Sequence, residues 1–257
     1  MVASIRIPAA PELHYLLRLG DTCLILGQRL GEWCGHGPIL EEDIALSNMA
    51  LDLIGQARAL LTLAGRNSGA GWDEDQLAFL RDEIDYRNPT LAELPRGDFA
   101  FTVLRNLALA TWLKLMWERL RDSSDAELAA IAGKAIKEAR YHQQHAADWA
   151  VRLGDGTDES RRRCEAALAA IWLYIPELFE DDAVDAAATA AGLGPAWSQL
   201  REPWLAEMDE VLGEAKLAAP PEATFRSNGK RGLHSEHMGY LLAEMQYLQR
   251  SYPGGAW

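Results

Sequence analysis

Four stretches of this chain run at helical periodicity for about twenty residues or more, and each is bounded by helix-breaking or capping residues. The first spans about Glu12 to Trp33, with Leu16, Leu19, Cys23, Leu26 and Leu30 along one face, and stops at CGHGP. The second, about Glu41 to Arg66, opens on the acidic run EED, which suits the positive end of a helix, and stops at NSGAGW. The third covers about Asp98 to Asp122. The fourth starts with Ser124 or Asp125 as its N-cap and ends at Gly154. Between the second and third lie about thirty residues, with one short helix (Asp73–Ile84) and the loop NPTLAELPRGD. Two antiparallel pairs of long helices joined by a single long crossover have the connectivity of a ferritin-like bundle. The expected fold is therefore all-α, a ferritin-like four-helix bundle with one long crossover plus additional C-terminal helices. These further helices are placed at about Ser160–Phe179, Ala196–Ala218 and Ser235–Tyr252, with Pro176 and Pro203 expected to kink or delimit them. PPEATFRSNGKRG reads as a loop. No repeat or linker divides the chain, so residues 1–257 are expected to form a single domain, with the core bundle at about 12–154 and additional helices at about 160–252.

Composition narrows the function. Hydrophobic residues are 49% of the chain, enough for a sizeable core. A formal charge of −13 opposes nucleic acid and anionic membrane surfaces, both of which attract basic proteins. The apolar run LALATWLKLMW is interrupted by Lys114 and falls short of the roughly 20 residues a membrane span needs. MVASIRIPAAPEL lacks the apolar centre of a signal peptide. Cys23, Cys34 and Cys164 are scattered and odd in number, as reduced thiols are. The expected location is cytoplasmic.

The stretch KEARYHQQHAADW raises the question of metal, because Glu138, His142 and His145 share a helix surface. A dinuclear carboxylate centre in such a bundle takes a Glu from each of two helices and Glu-x-x-His from each of the other two. The first helix offers Asp21 and Glu32 near its ends, and the second has Asp52 but no histidine. The third has no carboxylate from Phe99 to Trp117, and in the fourth the residue three beyond Glu138 is Tyr141, with His142 one place late. That ligand set is incomplete, so no metal is expected. Polar residues of the bundle should instead satisfy one another, with Lys114, Gln56 and Arg58 as candidate partners.

In GLHSEHMG, Ser235 reads as an N-cap and Glu236 as a first-turn acid, which leaves His234 and His237 without a ligand set. Just before it, Arg226, Lys230 and Arg231 form the main local excess of positive charge, a possible contact for an anion or an acidic partner. No nucleophile elbow, P-loop or dinucleotide fingerprint is present.

Taken together, GEWCGH, LDLIGQAR, KEARYH and AEMQYLQR, within a likeness running from about Leu16 to Trp257, resemble the structural subunits of bacterial phenylacetyl-CoA epoxidases. The resemblance implies a multicomponent oxygenase of phenylacetate catabolism in which this chain is not itself catalytic. It implies a homologous catalytic partner with a di-iron centre, and a reductase using NADPH, flavin and an iron–sulfur cluster, with no cofactor bound by this chain. It also implies that Leu53 and Gln56 stand where the catalytic relative has a ligand Glu and a ligand His. Tyr141 then replaces a helix-four histidine, so Leu53, Gln56, Glu138, Tyr141 and His142 mark a degenerate site. Two other readings remain: a self-sufficient metal-dependent oxidase, and an acyl-CoA-binding module using the basic loop. Self-association of the isolated chain is also left open.

Overall fold

A computed structural model describes residues 3–255; Met1, Val2, Ala256 and Trp257 lie outside the described residues. The chain is all-α: among the described residues there are helices, short 3-10 turns and two isolated bridges, but no strand. It divides into two compact units, one made of residues up to Pro95 together with Ser227 onward, the other of Arg96–Arg226.

The first unit is built on a hairpin of α1 (Pro11–Gly31) and α2 (Leu40–Asn67). Pro11 opens α1, where a missing N–H costs nothing, and Glu41, Glu42 and Asp43 fill the first turn of α2. Gly27 lets the two helices approach: a Cβ there would stand 3.3 Å from the Ala50 carbonyl oxygen and 3.2 Å from Ile54. Leu16, Leu19, Cys23, Leu26 and Leu30 are all buried, as their spacing predicts. The predicted short helix divides into α3 (Glu74–Phe79), fixed by an Asp73/Gln76 capping box, and a 3-10 turn at Glu83–Asp85. The loop that follows contains one helical turn, α4 (Thr90–Glu93).

The second unit holds the other long hairpin, α5 (Phe99–Leu120) and α6 (Ala126–Gly154), capped by Asp98 and Asp125. Among the described residues, α5 is the one helix long and apolar enough by length and hydropathy to cross a membrane, and 83% of that window is buried inside the protein, as in a core helix. Against this hairpin pack α7 (Asp158–Trp172) and α9 (Arg201–Glu214), with α8 (Ala183–Ala190) between them in sequence. Pro176 delimits as expected: α7 stops at Trp172 and the proline sits in a 3-10 turn, Ile175–Phe179. Pro203 does not break its helix, because as the third residue of α9 it needs no donor. Tryptophans form much of this core: Trp204 donates to the Ala108 carbonyl at 2.8 Å, Trp112 to that of Leu178 at 3.2 Å, and Trp112 lies edge-on to Trp197.

The C-terminal helices separate between the units. α10 (Glu236–Met245) and α11 (Tyr247–Ser251) belong to the first unit, and the single helix expected over Ser235–Tyr252 turns at Gln246.

Candidate functional site

On α2, Leu53 is buried and offers no donor atom, while the Gln56 side-chain oxygen accepts from the Cys23 thiol at 3.5 Å. Arg58, a candidate partner for buried polar groups, points outward instead and donates to Glu74 at 3.0 Å. On α6, His142 is buried and Glu138 half-buried, but Tyr141 is 54% exposed, with its ring 6.2 Å from those of both His142 and His145. Lys114, the other candidate cation, is half-buried and pairs with Glu207 of α9. An apolar Leu53, an amide at position 56 and an outward-facing Tyr141 do not make the donor set of a dinuclear iron centre. Among the described residues, no group of three or more His, Cys, Asp or Glu is placed to hold a metal ion.

The acids of α1 are committed elsewhere. Asp21 is wholly buried in a two-pronged pair with Arg81, and it also accepts from the Arg87 backbone N–H at 2.8 Å. Arg81 lies 4.1 Å from the centroid of the Tyr86 ring, whose hydroxyl accepts from Gln246 at 2.8 Å. Burial pushes the Tyr86 phenol well above its usual range, so it remains neutral. Glu32, the residue just past α1, pairs with Arg29, whereas Asp21 sits at the middle of α1 and not near an end as expected.

A second buried cluster joins α4 to the GLHSEHMG stretch. Glu93 of α4 accepts from His234 Nδ1 at 2.6 Å, from the Ser235 backbone N–H at 2.6 Å and from Asn88 at 2.9 Å. Ser235 is the N-cap of α10, as its position predicts. Burial of the His234 ring disfavours its charge, but the Glu93 hydrogen bond and charge outweigh burial, and the pKa rises. His234 and Glu93 therefore form a structural latch between the start of α10 and α4. Glu93 carried no sequence signal because its partner is 141 residues away.

The basic loop requires a correction. Lys230 is buried, and so does not extend from a solvated loop. Arg226 is held by Glu180 at 2.9 Å and Glu222 at 3.6 Å. Arg231 is exposed and donates to Asn228. The three cations do not form one anion-gripping surface.

The conspicuous surface feature is on α2. Leu40 (72% exposed), Ile44 and Leu51 (65%) follow one another at helical spacing on its outer face, with Ile54 at the margin towards α1. Gly55 sits among them, exposed in mid-helix, and a Cβ there would have no neighbour within 4 Å. Trp33, just past the end of α1, is buried and takes no part in this face.

Two hairpins of long helices joined by a long crossover define a ferritin-like helical protein, and its α2 carries an exposed apolar face. The chain belongs to the phenylacetic acid catabolic protein family, whose model matches residues 6–257. It is 49% identical over 243 residues, 95% of this chain and 98% of the relative, to one of the subunits of the 1,2-phenylacetyl-CoA epoxidase of Escherichia coli (strain K12).

Proposed function

We propose that this chain is a non-catalytic, structural subunit of a phenylacetyl-CoA epoxidase in cytoplasmic phenylacetate catabolism. Its role is to pair with a homologous subunit that carries the di-iron centre and receives electrons from a reductase using NADPH, flavin and an iron–sulfur cluster. The observation that carries this reading is the outer face of α2, an apolar stripe at helical spacing with a glycine in its middle. Mid-helix glycine costs about 1 kcal/mol relative to alanine, and nothing in this chain requires one at position 55. A second helix packed closely over Gly55 supplies the reason. The name of the similar Escherichia coli protein and the poor fit of Leu53, Gln56 and Tyr141 to iron support the same assignment.

Co-expression with the catalytic subunit tests it. A stable complex should bury well over about 1,000 Å², and Ile44→Glu with Leu51→Glu should abolish co-purification while leaving the helical content of this chain unchanged. Retention of the partner by that double variant would refute the α2 assignment. The isolated chain, expressed in iron-replete medium, should contain no stoichiometric iron by elemental analysis.

A further inference from the structure

In the second unit a pocket of about 320 Å³ opens between the end of α7, the 3-10 turn at Ile175–Phe179, α9 and the irregular segment 217–226. Trp172, Phe179, Leu205 and Pro220 give it apolar walls. Trp204 braces two of them, its ring 5.8 Å from that of Trp172 and 5.3 Å from that of Phe179. The charged groups in the lining are Arg201, Arg226, Glu180 and Glu222. Glu222 stands between the two guanidiniums, 3.0 Å from Arg201 and 3.6 Å from Arg226, while Glu180 holds Arg226 at 2.9 Å.

We infer that this pocket binds a small organic carboxylate with an aromatic or compact apolar body, and that Glu222 occupies the place of its carboxylate. A concave, mainly apolar space of this size with a few fixed polar groups has the form of a small-molecule site. The arginines choose the charge: a guanidinium fork matches a carboxylate, and two of them already share one. Glu222 lies on a segment without regular structure, its side chain is 58% exposed, and exposed pairs of this kind contribute little to stability. A ligand carboxylate can therefore take over both arginines at small cost, while its body covers Trp172 and Phe179. A neutral ligand would have to displace Glu222 without replacing its charge. The site lies wholly within Arg96–Arg226 and does not depend on the function proposed above.

Benzoate, phenylacetate and hexanoate, titrated into the full chain with tryptophan fluorescence and calorimetry as readouts, test the inference. Saturable binding at about millimolar Kd or tighter is expected for at least one of them, with its neutral amide at least about tenfold weaker. Glu222→Gln removes the internal competitor and should tighten binding by about threefold or more. A merely structural role for Glu222 predicts the opposite. Arg201→Ala with Arg226→Ala should weaken binding at least about tenfold, and Leu205→Trp should fill the pocket and abolish it. No saturable binding below about 10 mM, equal binding of the amide, weaker binding by Glu222→Gln, or binding unchanged in Leu205→Trp would each overturn the inference. If Leu205→Trp fails to fold by circular dichroism, the two surface tests at Glu222 and the arginines decide it.

Discussion

Asp21 and Arg81 are both wholly buried and form a two-pronged pair, so each compensates the charge of the other in the core. Removing one member of such a pair leaves an uncompensated charge in the core. Asp21→Ala should therefore cost about 3–5 kcal/mol in urea denaturation. Asp21→Leu combined with Arg81→Met should recover much of that loss, because an apolar pair needs no solvation. His234 makes a pH prediction of definite sign. Its folded pKa is raised, so the imidazolium–Glu93 contact contributes fully below the unfolded value of about 6.5 and is lost as pH rises through the folded value. The stability difference between wild type and His234→Ala should be largest below about pH 6.5 and shrink as the pH is raised above it. A difference that grows with pH would show that the ring is held neutral.

At the scale of the helix, Gly55 separates intrinsic stability from assembly. Gly55→Ala should stabilise the isolated chain by roughly 0.5–1 kcal/mol, since a Cβ there meets nothing. If the proposed pairing over α2 holds, the same change should weaken association with the proposed catalytic partner. Measuring the thermal midpoint and the pairing affinity of one variant tests both effects. The four long helices were legible to within a few residues because breakers and caps bound them: Asp98 and Asp125 each accept backbone N–H groups at a helix start. Lost among the small residues of DDAVDAAATAAGL was α8, although Asp182 and Asp185 form its capping box. The expected Ala196–Ala218 helix opens as a 3-10 turn at Trp197–Leu200 before α9 begins. The placing of Leu53, Gln56 and Tyr141 at ligand positions came only from the family resemblance, since neither periodicity nor spacing marks them. Asp21–Arg81 and Glu93–His234 could not be foreseen, because their partners are separated by 60 and 141 residues and joined only by tertiary packing. Lys230 was misread for the opposite reason: a cation on a glycine-containing loop ordinarily faces water.

At the scale of the whole chain, the two compact units differ in continuity. The second is one unbroken run, Arg96–Arg226, whereas the first needs the segment from Ser227 onward. Residues 96–226 expressed alone should give helical circular dichroism and cooperative unfolding. Residues 1–95 alone should not, because they lack the His234 and Ser235 contacts to Glu93 and the Gln246 contacts to Arg81 and Tyr86. Heat denaturation of the two fragments followed at 222 nm checks this. Adding the 227–257 peptide to the 1–95 fragment should restore a cooperative transition.

That discontinuity sets an order of events on the ribosome. The hairpin of α1 and α2 emerges first, yet its unit must wait for the last thirty or so residues of the chain. At ordinary elongation rates the delay is on the order of ten seconds. Throughout that interval Glu93 lacks the histidine and the capping serine N–H that later hold it, and the apolar outer face of α2 stands uncovered. The nascent chain therefore presents this apolar surface before its fold is locked, and for that interval it has the form of a holdase client.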